Sequence, residues 1–492
     1  MGIKIGTGGL SVEWIAEATG GRICTVGAAE CRTAEPLSPC DTSDSCGAPY
    51  GADDSRGTSC NLSEPRGIST DTRALEQGEI YLALAGERFD GHRFIPAAFE
   101  RGAFAVICSE LPENPPAGLY IVTGDSGRAL LDMAHAYIRQ LPKLRCTVAV
   151  TGSVGKTTTK QFIYSVLSQK FRTEKTEGNY NNLVGMPLTV LSTSPDCEAL
   201  VLEMGMNAKG EISRMSRCAE PDTAVITNIG TAHIGMLGSR EDIRDAKLEV
   251  LEGLRDGGHL ICTDEPLLAH VPAMRFCRGG DIFADDITRS GDGTDFDLCV
   301  LGERLGHMHI PVLGEHNVAD AAMAACVGRL YGVDAEQIRR GLAEFRNVGA
   351  RQSISRTGGI TAVLDCYNAS PESMKVSLGV LRETAGSGRA IAVLGDMLEL
   401  GEYSTELHRS VGTAFEGKNI DALYTYGDEA RHIAETAEQF VGAVHCYGSD
   451  DCDALADALR AELREGDTVL FKASNGMRLG ELAQSVLDLD RE

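Results

Sequence analysis

The sequence predicts an α/β protein with three domains, and two stretches of alternating strand and helix patterns lead to this prediction. In the first stretch, apolar runs separated by segments of helical spacing occur at 147–150, 199–203 and 223–227. In the second stretch, similar runs occur at 361–364, 390–394, 423–426 and 468–471. Continuous apolar runs that alternate with helices are typical of doubly wound parallel sheets. We therefore expect a central parallel-sheet domain like those of P-loop ATPases and a C-terminal Rossmann-like domain.

A smaller α/β domain is expected at the N-terminus. Its first 27 residues are interpreted as a short helix-forming start. Residues 28–65 contain Gly, Ser, Pro, Asp and four cysteines in place of periodic apolar residues, which is typical of an irregular surface insertion. Beyond it, residues 80–84 and 105–107 are predicted strands, and residues 129–141 are a predicted helix that leads into the central domain.

The length and charge of the chain limit the functions that it can have. Its 492 residues are too many for one hydrophobic core, and we place the domain limits at 1–142, 143–346 and 347–492. The net charge of -25 argues against binding to nucleic acid and against docking on anionic lipid. No apolar run approaches the roughly 20 residues of a membrane span. The N-terminus lacks the basic and apolar regions of a signal peptide, so we expect a cytoplasmic protein.

The sixteen cysteines are spread along the chain and include no Cys-x-x-Cys pair. This distribution gives no support for a zinc ribbon, and in a reducing compartment it predicts free thiols. The irregular spacing of the four cysteines in the insertion also disfavours a redox or metal role for Cys31, Cys40, Cys46 and Cys60.

The most specific local signal is the string Thr-Gly-Ser-Val-Gly-Lys-Thr-Thr at 151–158. It follows a predicted buried strand and precedes a predicted helix. Glycines let the backbone curl so that its N–H groups point at phosphate oxygens, and the helix N-terminus adds the positive end of its dipole. Lys156 is placed to reach the outer phosphates and Thr157 to bind magnesium. The general phosphate-loop pattern has another glycine where Val150 stands, so the match is to a shorter variant.

Because a phosphate loop fits a kinase, a GTPase, a motor protein or a ligase, later residues must decide between them. Glu203 ends a predicted strand, where a carboxylate reaches the ligand edge of a parallel sheet and could hold magnesium. The alternative is a solvated strand end. His233 follows the next strand and would reach the same edge, although a loop histidine is more often structural.

Lys247 is unusual because it falls within the apolar stripe of a predicted helix. The stripe consists of Ile243, Ala246, Val250, Leu251 and Leu254. The ammonium of such a lysine can extend to the surface. Alternatively, burial can favour the neutral amine, which reacts with carbon dioxide to give a carbamate, an anionic metal ligand. The spacing alone leaves both interpretations open and favours the first.

Five segments together resemble the Mur ligase family: 152–158, 176–187, 203–210, 227–239 and 314–325. Three strings are especially specific, namely Thr-Glu-Gly-Asn-Tyr-Asn-Asn at 176–182, Asp-Cys-Tyr-Asn-Ala-Ser-Pro at 365–371 and Leu-Gly-Asp-Met-Leu-Glu-Leu-Gly-Glu at 394–402. Several motifs in the right order are far more specific than one phosphate loop. The resemblance covers nearly the whole chain except about 28–65.

The resemblance implies an ATP-dependent ligase that activates a carboxylate as an acyl phosphate and joins it to an amine. Within the family, the chain is most similar to the members that add D-alanyl-D-alanine to UDP-N-acetylmuramoyl-tripeptide in peptidoglycan synthesis, a process tied to cell shape and division. Members that add the third residue of the peptide usually carry Asp-Asn-Pro-Arg, a string that does not occur here. The first domain would then bind the UDP-linked peptide and the second would bind ATP. We expect a monomer with small-molecule substrates, no nucleic-acid partner and no stable membrane insertion.

The resemblance also implies roles for individual residues. The ATP phosphates would be held by Gly152, Ser153, Val154, Gly155, Lys156, Thr157 and Thr158. Thr157 and Glu203 would bind one magnesium ion, while His233 and a carbamylated Lys247 would bind a second. The catalytic residues would be Lys156, Glu203, His233 and Lys247. Adenine would contact Asn317, and the ribose region would contact Arg351 and Asp365. The UDP-linked peptide would contact Ser69, Thr70, Arg73, Thr176, Asn179, Asn181 and Asn182.

Four positions depart from the residues that are frequent in the family. Cys262 and Asp320 stand where asparagine is frequent, Leu364 stands where an aspartate is usual, and Asn475 stands where arginine often ends a Lys-Gly-Ser-Arg run. These departures concern the ribose and dipeptide contacts, and they leave the phosphate and metal groups intact.

Two other functions remain open from the sequence. One is another Mur-type or folylpolyglutamate-type amino-acid ligase. Assays that compare D-alanyl-D-alanine with single amino acids as substrates would distinguish this alternative. The other is a non-catalytic ATP-binding homologue. The intact set of Lys156, Thr157, Glu203, His233 and Lys247 disfavours the second, because a scaffold has little use for two metal sites.

Overall fold

A computed structural model describes residues 2–4, 10–27, 65–86, 89–347, 349 and 351–487 of the chain. The predicted insertion at 28–65, with Cys31, Cys40, Cys46 and Cys60, lies outside these residues except for Pro65. The described residues form three β-sheets with helices between the strands, so the predicted α/β class is confirmed. Every cysteine in the described ranges is a free thiol, and most of them are buried.

The first sheet belongs to a compact unit made of residues 1–143 and 183–196. Its strand order is β1-β3-β4-β5-β6-β2, with parallel pairing from β3 to β6 and antiparallel pairing of β1 and β2 at the two edges. The strands are β1 Gly2–Lys4, β2 Arg22–Val26, β3 Gly67–Ser69, β4 Ile80–Leu82, β5 Ala105–Cys108 and β6 Gly118–Val122. The helices of this unit are Val12–Thr19, Ile95–Glu100, Ser126–Ile138 and Gly185–Ser192, and Gly91–Phe94 forms a 3-10 turn.

The start of the chain contains more strand than the sequence predicted. The expected helix is present, and the Ser11 hydroxyl caps it by accepting from the Trp14 N–H at 3.1 Å. The two short edge strands on either side of it were not predicted. They pair with segments far away in the sequence, so local periodicity carries little information about them.

The helix Gly185–Ser192 was also not predicted to join the first unit. The chain leaves the second unit after Asn182 and returns to it at Cys197. The helix packs against Ser126–Ile138, and the Tyr137 hydroxyl donates to the Thr193 carbonyl at 2.6 Å. Seven consecutive residues of this segment, 185–191, are buried, which explains its lack of amphipathic periodicity.

The second sheet has nine strands in the order β15-β14-β13-β12-β11-β10-β7-β9-β8. The strands are β7 Cys146–Thr151, β8 Thr173–Lys175, β9 Ala199–Glu203, β10 Thr223–Ile226, β11 His259–Thr263, β12 Met274–Phe276, β13 Ile282–Ser290, β14 Gly293–Val300 and β15 Glu303–Ile310. Strands β7 to β13 pair in parallel, and β13, β14 and β15 form an antiparallel extension. The associated helices are Lys156–Leu167, Glu211–Ala219, Ile234–Leu237, Arg240–Leu248, Glu315–Leu330 and Ala335–Ala343, with 3-10 turns at Glu249–Gly253 and Pro266–Leu268.

The third sheet has the order β16-β17-β21-β18-β19-β20 and is parallel apart from β16. Its strands are β16 Ser353–Thr357, β17 Ile360–Asp365, β18 Ala390–Gly395, β19 Ala422–Tyr426, β20 Ala443–Tyr447 and β21 Thr468–Lys472. The helices are Pro371–Ala385, Ser404–Gly412, Arg431–Ala437, Cys452–Glu462 and Leu479–Leu487, with 3-10 turns at Gly401–Tyr403, Thr413–Phe415 and Asn475–Met477. All four strands predicted in this part of the chain are present, within one residue of the predicted bounds.

The second and third sheets lie in one compact unit, made of residues 144–182 and 197–492. The predicted division at 346 falls inside this unit, and the three domain limits stay a prediction. Within the described ranges, no helix has the length and apolar character needed to cross a bilayer.

The register of the second sheet explains why the site residues come together. Val150 pairs with Glu203, and Thr151 pairs with Ile226. The carboxyl ends of β7, β9 and β10 therefore meet at one edge of the sheet. In open parallel sheets this edge is where ligands bind.

We expect Phe162→Ala to lower the free energy of unfolding by about 3–5 kcal/mol, because removal of a buried ring leaves a cavity. Phe162 is 0% exposed, and its ring stacks on that of Phe345 with centroids 3.8 Å apart. Denaturant unfolding followed by circular dichroism measures the loss. The control is Phe89→Ala at a ring that is 56% exposed, for which we expect a loss below about 1 kcal/mol. Equal losses in the two variants would contradict the packing described here.

Candidate active site

The glycine-rich loop follows β7 and requires glycine at two positions. Gly152 and Gly155 have φ angles of 144° and 86°, which favour glycine. A Cβ atom at Gly152 would lie 1.9 Å from the Thr227 hydroxyl oxygen, and one at Gly155 would lie 3.0 Å from the Asp320 carboxyl group. Helix Lys156–Leu167 begins directly after the loop, so its free N–H groups face the turn.

Residues that follow β10 hold the loop in place. The Val154 N–H donates to the side-chain oxygen of Asn228 at 3.0 Å, and the Asn228 amide donates back to the Val154 carbonyl at 2.9 Å. The Ser153 hydroxyl accepts from the Gly230 N–H at 2.9 Å. The loop is therefore organised by the protein itself before any phosphate binds, which lowers the entropic cost of binding.

The ammonium of Lys156 folds back over the loop. It donates to the carbonyls of Gly152 at 2.8 Å and Ser153 at 3.2 Å. Burial lowers the pKa of Lys156, the charge of Glu203 opposes this shift, and the charge of Arg351 adds to it. Because phosphate oxygens are stronger partners for an ammonium than peptide carbonyls, this lysine is placed to turn to a bound polyphosphate.

The carboxylate of Glu203 is buried at the end of β9 and meets three side chains. Its Oε2 accepts from the Thr157 hydroxyl at 2.9 Å and lies 3.0 Å from the ammonium of Lys160. Its Oε1 accepts from the Asn181 amide at 2.8 Å. Burial alone would raise the pKa of Glu203, but the charges of Lys160 and Lys156 outweigh it and hold the pKa below its usual value. Glu203 is therefore ionised at neutral pH although it is only 2% exposed.

The structure changes the interpretation of Thr176, which was predicted to line the substrate groove. Thr176 is 0% exposed, and its hydroxyl accepts from the Glu203 N–H at 3.0 Å. Thr176 does not line the cavity, and its own N–H donates to the Val201 carbonyl of β9. Its hydroxyl therefore positions Glu203 and is not available to a ligand in the cavity.

Thr157 and Glu203 fit a magnesium ion. Both supply oxygen ligands, which magnesium prefers, and their oxygens are already 2.9 Å apart at the phosphate loop. Among the described residues, no three His, Cys, Asp or Glu side chains converge closely enough to hold a metal by themselves. An ion bound here would therefore need further oxygen ligands from phosphate, from water or from a modified side chain.

His233 and Lys247 lie near the same loop. His233 has a left-handed φ of 66°, and its Nδ1 is 2.8 Å from a carboxylate oxygen of Glu399. Burial lowers the pKa of His233, helped by the charges of Lys156 and Lys247, while Glu399 opposes the shift. The imidazole therefore favours its neutral form, which is the form that binds metals.

Lys247 is deeply buried, as its place in the apolar stripe indicated. It is 2% exposed in helix Arg240–Leu248, beside the buried Ile243 and Ala246. Burial, followed by the nearby charge of Lys156, lowers the pKa of Lys247 well below its usual value. The alternative in which its ammonium extends to solvent is therefore wrong.

Asn317 and Asp320 lie at the start of helix Glu315–Leu330 and line the cavity. The Asn317 amide nitrogen donates to the Leu313 carbonyl at 2.7 Å and to the Gln352 side chain at 2.8 Å, so its own oxygen is left for a ligand. Burial raises the pKa of Asp320 to about 8. At neutral pH this carboxyl group is mostly protonated and offers a donor and an acceptor, as an asparagine amide does.

Arg351 and Asp365 approach the cavity from the chain segment around the third sheet. The guanidinium of Arg351 stacks over the Tyr367 ring at 3.8 Å. Asp365 ends β17, and its Oδ2 accepts from the Lys472 ammonium at 2.5 Å and from the Ser377 hydroxyl at 2.8 Å. The Lys472 side chain is 1% exposed and that of Asp365 is 16% exposed, so the ammonium of this ion pair is buried and its carboxylate is partly exposed.

Two glutamates near the third sheet bind the segment that carries His233. Both oxygens of Glu372 lie within 3.2 Å of the Thr231 hydroxyl, and one also accepts from the Thr231 N–H at 3.0 Å. Glu399 contacts His233 as described above, and the Tyr403 hydroxyl donates to the Gly238 carbonyl at 2.8 Å. The second and third sheets are thus joined directly at the candidate site.

A cavity of about 700 Å³ in the second unit brings most of the predicted residues together. The predicted residues that line it are Ser153, Val154, Gly155, Lys156, Thr158, Asn179, Asn181, Asn182, Glu203, His233, Asn317, Arg351 and Asp365. Thr157 and Lys247 are buried beside it. The predicted sugar-site residues Ser69, Thr70 and Arg73 belong to the first unit.

In the first unit, these three residues form a local turn. The Ser69 side chain is buried, and its hydroxyl donates to the Asp71 carbonyl at 3.0 Å. Arg73 is largely exposed and pairs with Asp71 at 2.8 Å, so its guanidinium is held in a defined direction. Their role in binding a nucleotide sugar stays a prediction.

Sequence reasoning missed four residues of the site: Lys160, Gln352, Glu372 and Lys472 were given no role. Lys160 had a signal, because a lysine one turn after Lys156 falls among buried residues of the same helix. No local sequence signal pointed to Gln352 or Glu372, because their partners Asn317 and Thr231 are distant in the sequence.

The loop, the ionised carboxylate and the cavity define the class: an α/β protein that binds a nucleotide polyphosphate on a glycine-rich loop. Residues 150–328 match the Mur ligase middle domain, residues 350–475 match the Mur ligase glutamate ligase domain, and residues 64–139 match the Mur ligase family catalytic domain. The chain belongs to the Mur ligase family, as its motifs predicted.

Individual relatives agree with this assignment. The UDP-N-acetylmuramoyl-tripeptide–D-alanyl-D-alanine ligase of Bacillus subtilis is 40% identical over 430 residues, which are 86% of this chain and 93% of that protein. The crystal structure of MurF from Acinetobacter baumannii has a TM-score of 0.83 and 27% identity and covers 99% of this chain and 100% of that chain. MurF from Thermotoga maritima in complex with ADP has a TM-score of 0.77 and 29% identity and covers 87% of this chain and 98% of that chain.

We expect Gly152→Ala to weaken ADP binding about a hundredfold, because the added Cβ collides with Thr227 and displaces the loop. Isothermal titration calorimetry with ADP measures the effect, and circular dichroism checks the fold. Gly257→Ala is the matched control, since its φ is also positive at 76° but no atom lies within 4 Å of an added Cβ. Unchanged ADP affinity in the Gly152 variant would show that the loop does not hold the nucleotide.

Proposed function

We propose that this chain adds D-alanyl-D-alanine to UDP-N-acetylmuramoyl-tripeptide, with ATP as the energy source, in cytoplasmic peptidoglycan precursor synthesis. The observation that carries the proposal is the 40% identity to a ligase of that name across 86% of the chain. The phosphate loop and the Thr157–Glu203 pair supply the chemistry that such a ligase requires.

The reaction must solve the problem that a carboxylate is a poor acylating agent, because its leaving group would be oxide. A carboxylate oxygen of the tripeptide attacks the γ-phosphorus of ATP, the bond from that phosphorus to the bridging oxygen breaks, and ADP leaves. The amine of D-alanyl-D-alanine then attacks the acyl phosphate. The tetrahedral intermediate collapses to the amide and inorganic phosphate, and the amine proton goes to solvent.

Each site residue has a role in this scheme. Lys156 moves from the loop carbonyls to the outer phosphates and balances the negative charge of the transferring group. Arg351, whose charge reaches Lys156, adds to the positive field, and Asn317 offers its free oxygen to the adenine amine. Asp365, whose carboxylate accepts from the Lys472 ammonium, would contact the ribose together with Arg351.

Thr157 and Glu203 would hold one magnesium ion, and His233 with a carbamylated Lys247 would hold a second. Magnesium supplies charge neutralisation for phosphoryl transfer. The carbamate would form when the neutral Lys247 amine attacks carbon dioxide, which creates a C–N bond and releases one proton. The burial of Lys247 supports this, because it lowers the pKa and so favours the reactive neutral amine, and the nearby charge of Lys156 would attract the resulting anion.

Two groups of residues are proposed for the UDP-linked peptide, and each group is described within its own unit. We propose that Asn179, Asn181 and Asn182 contact it from the cavity wall of the second unit. Ser69, Thr70 and Arg73 would bind the nucleotide sugar in the first unit. Thr176 is left out of this group, because its hydroxyl is committed to Glu203.

The test is phosphate release from ATP with UDP-N-acetylmuramoyl-tripeptide, with and without D-alanyl-D-alanine. We expect release to require both substrates and a product one dipeptide heavier by mass spectrometry. Lys156→Ala should lower the rate about a hundredfold or more while the fold is retained. Product formation with a single amino acid instead would establish another ligase of the family, and no phosphate release with any of these substrates would establish a non-catalytic homologue.

We expect Lys247→Ala to lose activity by about a hundredfold and to recover part of it with acetate or formate, which can replace the carbamate anion. Wild-type protein equilibrated with ¹³C-bicarbonate should show a carbamate signal in ¹³C NMR that the variant lacks. Lys143→Ala, at a lysine whose side chain is 57% exposed, is the control and should stay active. Full activity of Lys247→Ala in bicarbonate-depleted buffer would remove the carbamate from the mechanism.

A further inference from the structure

Lys160 is a buried lysine to which the mechanism above gives no role. It lies one turn after Lys156 on helix Lys156–Leu167 and is 2% exposed. Its ammonium is 3.0 Å from Oε2 of Glu203, a carboxylate that is itself 2% exposed. Two opposite charges are therefore paired almost entirely out of water, at the carboxylate expected to bind magnesium.

Lys160 balances the charge of the Glu203 carboxylate, which needs a counter-ion when no metal is bound. A buried carboxylate without a counter-ion costs several kcal/mol of stability. The other two donors to Glu203, the Thr157 hydroxyl and the Asn181 amide, are neutral and cannot balance its charge. Among the described residues, Lys160 is the one cation in direct contact with Glu203.

The same pair must oppose the binding of a free divalent cation. An ion that approaches Glu203 meets a carboxylate that is already neutralised. It also meets the charges of Lys156 and Lys160, both of which lie close enough to Arg351 for its charge to lower their pKa values. A nucleotide brings several negative charges that offset this repulsion.

We propose that Lys160 is a positioning residue that serves as the resident counter-ion of Glu203 and makes magnesium binding at Thr157 and Glu203 depend on the nucleotide. This inference rests on the metal role given to Glu203 in the proposed function. It makes the metal–nucleotide complex, and not the free cation, the species that the empty site accepts.

The test compares direct binding of Mn²⁺, measured by electron paramagnetic resonance without nucleotide, in wild-type protein and in Lys160→Met. Methionine has a similar length but no charge. We expect Lys160→Met to bind Mn²⁺ about tenfold more tightly or better, because the competing charge is gone. A merely structural role for Lys160 predicts the opposite sign, since a disturbed site would bind the ion more weakly.

Three further variants make the comparison specific. Lys160→Arg keeps the charge and should bind Mn²⁺ as weakly as the wild type. In Lys160→Met combined with Glu203→Gln, the gain should disappear, because the uncompensated carboxylate is its cause. Lys143→Met removes a lysine that pairs with Asp196 at the surface, 2.5 Å away, and should change nothing.

Thermal unfolding provides a second readout that needs no enzymatic activity. Lys160→Met should unfold at a lower temperature than the wild type without metal, and Mg²⁺ should raise its unfolding temperature more than that of the wild type. If the variant folds only in the presence of Mg²⁺, that result also supports the proposal. Mn²⁺ affinity in Lys160→Met that is equal to or weaker than in the wild type, or a folding defect that Mg²⁺ does not correct, would overturn it.

These outcomes are separate from those of the ligase assay. A protein that forms no amide product can still bind Mn²⁺ in the predicted order of affinities, and an active ligase can fail to do so. Failure of the counter-ion role and failure of the proposed function can therefore be told apart.

Discussion

The ionised carboxylate of Glu203, held out of water at the end of β9, is the constraint on which the active site depends. Thr157, Asn181 and Thr176 each donate to it or fix its backbone, and Lys160 balances its charge. Helix Lys156–Leu167 and the segment 176–182 are thereby fixed to the same sheet edge. The nucleotide loop and the cavity wall owe their relative positions to this one group.

The active site gathers positively charged side chains, although the chain as a whole is negatively charged. A protein with a net charge of -25 must still bind a polyphosphate, and it does so by gathering cations in one place. The charge of Arg351 acts on both Lys156 and Lys160 there, and Lys472 is paired with Asp365 in the lining of the same cavity. Their repulsion in the empty site is relieved when phosphate binds, so the charges favour nucleotide binding although they burden the free protein.

The sequence predicted those parts of the structure whose signals are local. Buried parallel strands are continuous apolar runs, so β9 was predicted to the residue, and the glycine-rich loop followed from spacing alone. The edge strand β2 and the helix Gly185–Ser192 depend on partners distant in sequence and were missed. Lys160 had a local signal in its buried helix position, but its role was not recognised because its carboxylate partner lies 43 positions further along the chain.

Asp320 shows how a change of residue type can leave the chemistry of a site unaltered. The family resemblance led us to expect an asparagine amide at this position, and below a pH of about 8 the Asp320 carboxyl group is mostly protonated. A protonated carboxyl group and an asparagine amide have nearly the same shape and no charge, and each offers a hydrogen-bond donor and an acceptor. At neutral pH either side chain would therefore present a neutral group to the loop, whereas above a pH of about 8 Asp320 would carry a negative charge next to Gly155.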